Sequence, residues 1–262
     1  MQVIVLAAGQ GSRLRPLTNT KPKCMVDLLG KPLLAYQLEL FKKLNLENVL
    51  IIGGYKNEKL DTQGAPIVIN ERFAETNMVN TLFCAEEFIN DGQDLLLTYG
   101  DIVYDQKVLE TILADDSPCS VVIDKEWKQL WSLRMDNPLD DAETLKVNKA
   151  GYISEIGKKP SSYQDIEGQY IGMIKVRADY INRFKDAWKE MDSDIVLDGQ
   201  DKDNIYMTSF IQYLIDLNLN FTPVFIENGW IEIDTVEDLN AYEQFISGGE
   251  HKKIFKSIAV SN

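Results

Sequence analysis

The sequence predicts one α/β domain, built on a single Rossmann-like, mixed and mostly parallel sheet with helices on both faces. Over the first 124 residues, short apolar runs alternate with segments of helical periodicity, which is typical of parallel strands joined by helices. With 262 residues, of which 45% are hydrophobic, the chain is long enough to bury one large core. We assign residues 1–247 to this domain and residues 248–262 to a short C-terminal tail.

The elements of the first half are predicted from apolar periodicity. Strands are assigned to short continuous apolar runs, and helices to segments with an apolar residue every three or four positions. The predicted strands are 2–9, 48–55, 66–70, 94–101 and 119–124. The predicted helices are 31–44, 76–89 and 108–115. Thr76 and Asn77 both have side chains suited to cap the second of these helices.

The second half has a more mixed pattern. Residues 145–158 have the pattern of a β-hairpin with its turn at 148–151. The other predicted extended segments are 168–176 and 220–234, and the predicted helices are 180–191, 204–217 and 235–246. Thr235 is the expected cap of the last helix.

The chain is acidic overall, with a formal net charge of −14, yet its first four charged residues are all cations. Arg13, Arg15, Lys21 and Lys23 precede the first carboxylate, Asp27. A local cationic cluster in an acidic protein indicates a specific anionic ligand and argues against nucleic acid or an anionic membrane as a partner. No apolar run approaches the ~20 residues of a membrane span. Three well-separated cysteines fit a reducing compartment, so we expect a cytoplasmic protein.

These cations lie in a glycine-containing loop between the first strand and the first helix. Gly9 and Gly11 permit close approach of the backbone, whose N–H groups can hold phosphate oxygens. The loop lacks the GK[ST] of the P-loop, and Leu14 stands where the dinucleotide fingerprint requires its third glycine. The loop is therefore predicted to bind phosphate, but through neither of these two motifs.

The segment "LAAGQGSRLRPLTNTKPK" resembles the signature LAAGxGxRLxPLTxxxPK of the sugar-phosphate and alcohol-phosphate nucleotidyltransferases. The resemblance extends to "GKPLL", to "YGD" after the fourth strand and to "WIEIDTVEDL", and so covers about residues 1–245. It implies a fold of the nucleotide-diphospho-sugar transferase type. It also implies a reaction in which a phosphate or phosphonate oxygen attacks the α-phosphorus of a nucleoside triphosphate and pyrophosphate leaves.

The resemblance implies roles for the loop residues. Arg13 would neutralise the β- and γ-phosphates, and Lys23 would bridge the α-phosphate and the phosphate of the acceptor. Cations placed there lower the barrier because negative charge builds up on these groups in the transition state. The residues expected to bind the nucleotide are Leu6, Ala8, Gly9, Gly11, Ser12, Asn77 and Asn80. Helix capping and surface polarity explain Asn77 and Asn80 equally well.

Two carboxylates are candidates for binding Mg²⁺, the metal that such phosphoryl transfer generally needs. Asp101 ends the fourth strand, at the edge where parallel sheets bind ligands. The resemblance implies a second carboxylate just before the last helix, which is Asp234. A turn cap for Asp101 and a helix cap for Asp234 are the alternatives. We interpret three further acids as solvated helix-end charges: Asp105, Glu237 and Asp238.

The segments "PKCMVDLLGKPLL" and "TNMVNTLFCA" look more like the CTP:phosphocholine cytidylyltransferase branch than like the sugar-nucleotide pyrophosphorylases. This branch implies CTP, with UTP and dTTP as alternatives. It also implies a small acceptor such as phosphocholine, phosphoethanolamine, an aminoalkylphosphonate or a phosphorylated amino acid.

Aromatic residues close to carboxylates predict that the acceptor carries a cationic group. Tryptophan faces attract ammonium groups by ~0.5–2 kcal/mol. If "WIEID" is extended, alternate residues of this segment face one site. The expected acceptor-binding residues are Trp127, Trp131, Arg134, Tyr206, Trp230 and Glu232. Core or interface packing is an equal alternative for Trp127 and Trp131, and Arg134 suits either an acceptor carboxylate or an ion pair with Asp140.

The sequence thus predicts a Mg²⁺-dependent cytidylyltransferase that releases pyrophosphate and serves, for example, cell-surface polysaccharide biosynthesis. CTP and the small phosphorylated or phosphonate acceptor are its expected partners, and a homodimer is compatible with the sequence. A sugar-1-phosphate nucleotidyltransferase is the first alternative. A non-catalytic nucleotide sensor is the second, although the combination of Arg13, Lys23, Asp101 and Asp234 argues against it.

Overall fold

The computed structural model describes residues 1–249 and 255. Within these residues the helices are α1 Leu33–Lys43, α2 Met78–Phe83, α3 Gln106–Leu113, α4 Trp127–Arg134, α5 Ile181–Lys189, α6 Met207–Asp216 and α7 Val236–Ser247. The strands are β1 Gln2–Ala7, β2 Asp27–Leu28, β3 Lys31–Pro32, β4 Asn48–Gly53, β5 Ile67–Ile69, β6 Leu95–Tyr99, β7 Ile102–Tyr104, β8 Cys119–Asp124, β9 Leu145–Val147, β10 Ile153–Ile156, β11 Gln169–Val176, β12 Val196–Leu197, β13 Gln200–Asp201, β14 Phe221–Ile226 and β15 Trp230–Glu232. None of the described helices is long and apolar enough to cross a membrane.

Seven of the described strands form the central sheet, in the order β14-β8-β11-β6-β1-β4-β5. Its pairs are parallel except those of β11, which runs antiparallel to both β6 and β8. The predicted mixed, mostly parallel sheet is therefore confirmed. Strand β1 lies between β4 and β6 in register, with Leu6 beside Ile52 and Tyr99. The carboxyl ends of these three strands consequently meet at one edge.

Helices cover both faces of the sheet, as the sequence predicts. Alternate residues of β1 point to opposite faces, so Val3 and Val5 join one core cluster and Ile4 joins the other. The first cluster takes the buried sides of α1, α3, α4 and α7. The second takes those of α2, α5 and α6. Each helix is thus fixed by one apolar stripe against a strand surface that is apolar on both sides.

The predicted hairpin and helix caps are confirmed. Strands β9 and β10 pair antiparallel around a turn in which Gly151 has a φ of +87°. Asn77, rather than Thr76, caps α2 by accepting a 2.8 Å hydrogen bond from the N–H of Met78. Thr235 caps α7 by accepting from the N–H of Asp238 at 3.0 Å. Both caps satisfy backbone donors that the first turn of a helix leaves unpaired.

The sequence prediction fails at short strand pairs and where the hydrogen-bonding pattern of a helix changes. Helix α2 ends at Phe83 instead of residue 89, because the following N–H groups of Ala85 and Glu86 bond three rather than four residues back. The strand pairs β12–β13 and β15–β7 were not predicted. The first of them turns at Asp198 and Gly199, both with positive φ, which is the geometry of a two-residue hairpin.

The division into a domain and a tail stays a prediction. Helix α7 ends at Ser247, the predicted boundary. Of the predicted tail 248–262, only Gly248, Gly249 and Phe255 lie within the described residues. Phe255 is buried in the core cluster that also takes up α7.

Gly172 marks an irregularity in β11, whose pairing with β8 shifts register between Tyr170 and Ile174. Gly172 has a φ of +86°, and a Cβ added there would lie 2.5 Å from Cδ2 of Tyr99. The missing side chain lets the strand pass under the Tyr99 ring. That ring stands edge-on to Tyr170, with centroids 5.9 Å apart. Both tyrosines line the site described below.

We expect Gly172→Ala to lower the free energy of unfolding by about 1–3 kcal/mol more than Gly151→Ala, because the added methyl group overpacks the strand. Gly151 is the matched control, since its φ is +87° and an added Cβ meets nothing within 4 Å. Urea denaturation of the two variants gives the comparison. Equal losses would mean that backbone strain alone accounts for the effect, and that the Tyr99 contact is not tight.

Candidate active site

The site lies at the sheet edge where β1 and β6 end. The loop after β1 crosses this edge, Asp101 follows β6, and the segment after β15 closes the site from the other side. Gly11 adopts a left-handed conformation, with a φ of +60°, and a Cβ there would lie 3.0 Å from the Cβ of Lys23. The loop therefore folds back on itself, and the N–H of Lys23 donates to the carbonyl of Gly9 at 3.4 Å.

Lys23 stands at the centre of the site. Its Nζ donates to Oδ2 of Asp101 at 2.6 Å and also pairs with Asp234. Arg13 reaches the same Asp234 carboxylate at 3.3 Å, although 64% of its own side chain is exposed. Burial would lower the pKa of Lys23, but the charges of Asp101 and Asp234 outweigh this effect and raise it. Lys23 therefore stays an ammonium ion at neutral pH.

Three carboxylates meet around this lysine. One oxygen each of Asp101, Glu232 and Asp234 lies within 4.8 Å of the other two. Oδ1 of Asp101 is buried and has no hydrogen-bond partner among the described residues. Burial, followed by the charges of Asp234 and Asp101, raises the pKa of Glu232. A set of hard oxygen donors with one unsatisfied oxygen fits a divalent cation of the Mg²⁺ type.

Glu232 belongs to this group because of a strand pair that the sequence does not reveal. Strand β15 pairs antiparallel with β7, which places Glu232 opposite Ile102, the residue after Asp101. Trp230 anchors the other end of β15 by donating from Nε1 to Oδ2 of Asp124 at 2.8 Å. The predicted common orientation of residues 230, 232 and 234 agrees with the structure, since all three line one cavity.

Arg134 is buried behind the carboxylates, with only 3% of its side chain exposed. Its guanidinium contacts Asp238 at 3.0 Å, Asp234 at 3.4 Å and Glu232 at 3.6 Å. The predicted pairing with Asp140 is wrong, because Asp140 accepts from Asn137 instead. Arg134 neutralises part of the negative charge that Lys23 alone cannot balance.

The interpretation of the neighbouring acids as solvated is wrong for two of the three. Asp238 is 3% exposed, because it pairs with Arg134 and accepts from the N–H groups of Asp234 and Thr235. Asp105 is 7% exposed. Glu237 is exposed, as expected.

A cavity of about 140 Å³ opens beside the loop, and we call it the loop cavity. It brings together six of the predicted residues: Leu6, Ala8, Gly9, Lys23, Asn77 and Asp101. Gly11 and Ser12 do not line it, because they form the outer turn of the loop. Asn80 does not line it either, since its Nδ2 donates to Asp203 at 3.0 Å.

A second cavity of about 200 Å³ adjoins the carboxylates, and we call it the aromatic cavity. Five predicted residues line it: Trp131, Tyr206, Trp230, Glu232 and Asp234. Trp127 does not, because its ring packs in the core against Trp131, 5.6 Å away, and against Tyr163. Met78 and Tyr99 line both cavities, so the two adjoin along these side chains.

Four further residues line the aromatic cavity and are not among the predicted acceptor-binding residues: Glu143, Gln169, Tyr170 and Thr208. Glu143 follows Asp140 and Asp141 in an acidic run that looks like a solvated turn. Burial raises the pKa of its carboxyl from 4.5 to about 7. No local pattern distinguishes this acid from its exposed neighbours, because its burial depends on β11 and α6.

Fold and site together define a nucleotidyltransferase. Residues 3–145, more than half of the chain, match the family model of the MobA-like NTP transferase domain. The chain belongs to this family, and the class that the opening motif predicts is confirmed.

One relative matches the chain almost from end to end. A Campylobacter jejuni protein named CTP:phosphoglutamine cytidylyltransferase is 41% identical over 250 residues, which cover 91% of this chain and 98% of that protein. Two solved structures share the fold. The CTP:phosphocholine cytidylyltransferase of Streptococcus pneumoniae has a TM-score of 0.67 at 21% identity and covers 94% of this chain and 98% of its own. The inositol-1-phosphate CTP transferase of T. maritima has a TM-score of 0.72 at 19% identity and covers 97% of both.

We expect Glu143→Gln to stabilise the protein at pH 8 and to have little effect near pH 4. A carboxyl whose pKa is raised on folding favours the folded state while it is protonated, and this stability is lost as the pH rises from 4.5 through about 7. The gain at pH 8 has an upper bound on the order of 3 kcal/mol. Urea denaturation at both pH values measures it.

Glu87→Gln is the control, because it makes the same chemical change at an exposed position. It should shift the free energy of unfolding by no more than about 0.5 kcal/mol. If the Glu143→Gln protein were only as stable as wild type at pH 8, the raised pKa of this carboxyl in the folded protein would be contradicted.

Proposed function

We propose that this protein transfers CMP from CTP to a small phosphorylated acceptor that carries an amine, with release of pyrophosphate. The observation that supports this most directly is the meeting of two cavities at one cluster of Lys23, Asp101 and Asp234. The loop cavity would hold CTP and the aromatic cavity would hold the acceptor. Both phosphates would then face the same lysine.

Phosphoglutamine is the first acceptor that we propose, because the relative of that specificity matches over nearly its whole length. The aromatic cavity supports an amine, since it is lined by tryptophans and tyrosines together with Asp141 and Glu143. Ring faces and carboxylates both attract ammonium groups. Phosphocholine, phosphoethanolamine and aminoalkylphosphonates offer the same combination of anionic and cationic ends.

In the proposed reaction an oxygen of the acceptor phosphate attacks the α-phosphorus of CTP, and the bond from that phosphorus to the bridging oxygen of the pyrophosphate breaks. Lys23 is held as a cation where the two phosphates meet, so it stabilises the charge that builds up between them. Arg13 is mostly exposed and can turn from Asp234 to the leaving pyrophosphate. The loop backbone around Gly9 keeps the triphosphate in line.

Asp101, Asp234 and Glu232 would hold Mg²⁺, which supplies neutralisation of phosphate charge when it is bound. We therefore propose Glu232 as a third metal carboxylate in place of the acceptor contact that the sequence suggested. Arg134 would keep Glu232 and Asp234 in position through its contacts at 3.6 and 3.4 Å.

A pyrophosphate-release screen tests the function. Each of the common nucleoside triphosphates is combined with phosphoglutamine, phosphocholine, phosphoethanolamine, 2-aminoethylphosphonate and glucose 1-phosphate. We expect the highest kcat/KM with CTP and an amine-bearing acceptor. Turnover of glucose 1-phosphate alone would instead identify a sugar-1-phosphate nucleotidyltransferase, and no turnover of any pair would favour a sensor.

We expect Lys23→Ala to lower kcat by about 10²–10³, because its charge acts mainly on the transition state. Lys21→Ala is the matched control from the same loop, since Lys21 pairs with Asp27 outside both cavities and should be dispensable. Steady-state kinetics with saturating CTP give the comparison. A Lys23→Ala enzyme with nearly full kcat would remove the lysine from the proposed mechanism.

We expect Asp101→Asn, Asp234→Asn and Glu232→Gln each to raise the Mg²⁺ concentration needed for half-maximal activity, since each removes one anionic ligand. The exposed Glu237→Gln serves as the control. Titration of activity with Mg²⁺ at fixed substrates measures the shift. If Glu232→Gln changed only the KM of the acceptor, Glu232 would instead be assigned to acceptor binding, as the sequence suggested.

A further inference from the structure

We infer that Glu143 selects the acceptor, by pairing its carboxylate directly with the ammonium group of the substrate. The inference rests on the proposed function for the reaction, and it adds the residue that distinguishes an amine-bearing acceptor from a neutral one of the same shape.

The backbone of Glu143 is hydrogen-bonded to the side chain of Gln169, a residue of the central sheet. Its N–H donates to Oε1 of Gln169 at 2.9 Å, and its carbonyl accepts from Nε2 of the same side chain at 2.6 Å. Gln169 is itself only 4% exposed and stands at the start of β11. One buried side-chain amide therefore holds both the N–H and the carbonyl group of Glu143. Both residues line the aromatic cavity. The position of Glu143 is built into the fold.

Little in the part of the chain that the structure describes compensates the carboxylate of Glu143. Oγ1 of Thr208 donates a long hydrogen bond to its Oε1, at 3.4 Å. Within residues 1–249 and 255, no lysine or arginine forms an ion pair with it. Asp101 and Asp234 differ in this respect because they pair with Lys23, and so does Glu232, which pairs with Arg134, whereas Asp141 is exposed to solvent. Glu143 is half-buried, and a partly desolvated carboxylate without a counterion lowers stability, so it is suited to a cation that arrives with the ligand.

The groups around Glu143 reinforce this preference. Its titratable neighbours comprise Asp141 on its own segment, Asp198 in the β12–β13 turn, Tyr99 on β6, Tyr170 on β11, and Tyr206 and Glu232 across the cavity. None of them supplies positive charge at neutral pH. The indole of Trp131 and the phenol rings provide apolar and π-rich walls. An ammonium group is thus favoured, and a second carboxylate at this position is disfavoured.

Burial also makes the selectivity depend on pH. With a pKa raised to about 7, the carboxyl is partly protonated in the empty enzyme at neutral pH. Its attraction for an ammonium group therefore grows as the pH rises through 7. The phosphate of the acceptor titrates near pH 6 as well, so only a comparison of two acceptors with the same phosphate isolates Glu143.

The experiment compares each amine with its neutral isostere. The pairs are phosphoethanolamine with propyl phosphate, phosphocholine with 3,3-dimethylbutyl phosphate, and phosphoglutamine with its analogue lacking the α-amino group. The ratio of kcat/KM within a pair is measured for wild type, Glu143→Gln, Glu143→Asp and Asp141→Asn between pH 6 and 8. If no pair is turned over, the same ratio is taken from dissociation constants measured by calorimetry.

We expect the wild-type ratio to favour the amine and to rise with pH. Glu143→Gln should lower that ratio by about tenfold to hundredfold, the effect of losing a hydrogen bond between charged groups, and should abolish its pH dependence. The KM for CTP and the kcat/KM for the neutral isostere should change little, and Glu143→Asp should restore part of the preference. Asp141→Asn removes an exposed charge from the same cavity and should have a much smaller effect.

A wild-type enzyme that does not prefer the amine in any pair overturns the inference, even if it transfers CMP efficiently. An equal effect of Asp141→Asn and Glu143→Gln also overturns it, because the general field of the cavity would then explain the preference. Conversely, an enzyme that uses another nucleotide but loses amine preference with Glu143→Gln supports the inference and refutes the cytidylyl specificity. The nucleotide screen and the isostere ratio therefore separate the two failures.

Discussion

The site depends on the balance of charge around one lysine, Lys23, whose side chain is only 14% exposed. Lys23 pairs with Asp101 and Asp234, while Glu232 adds a third carboxylate within 4.8 Å of both. Neither the lysine nor the acids could be buried alone without a large desolvation cost. Arg134 supplies a second cation from behind, and Asp238 holds Arg134 while it caps α7. Charge compensation thus links the loop after β1, the end of β6, β15 and the last helix.

The two cavities use charge in opposite ways. In the loop cavity, Lys23 is paired within the protein, and glycine and alanine allow the backbone to approach the ligand. In the aromatic cavity, Glu143 is half-buried and unmatched by any cation in the described part of the chain. The first arrangement suits polyanionic phosphates. The second suits the acceptor with a positive end that we propose, and the opposite charges of the two cavities would then orient it.

Local sequence predicted the parts of the fold and the site that local chemistry determines. The sheet, most of the helices, Lys23 and Asp101 follow from apolar periodicity and from a contiguous motif. Glu232 could not be placed beside Asp101 and Asp234, because that depends on the three-residue pairing of β15 with β7. The burial of Glu143 depends on a clamp from Gln169, 26 positions away. For Arg134 the sequence left an acceptor carboxylate and Asp140 as alternative partners, and it could not reveal Asp238, which lies 104 positions further along.

The long separation between the partners of the Lys23 cluster has a consequence for the biogenesis of the enzyme. Lys23 and Asp234 are 211 positions apart, and β15 joins the site only through its pairing with β7. A nascent chain can complete β1, its loop and β4 long before Asp234 leaves the ribosome, because domains are synthesised from the N-terminus. At that stage Lys23 can pair with Asp101, which follows β6, but not with Asp234. The site therefore cannot be complete before the C-terminal segment is available, and chains that end before Asp234 lack one of its carboxylates.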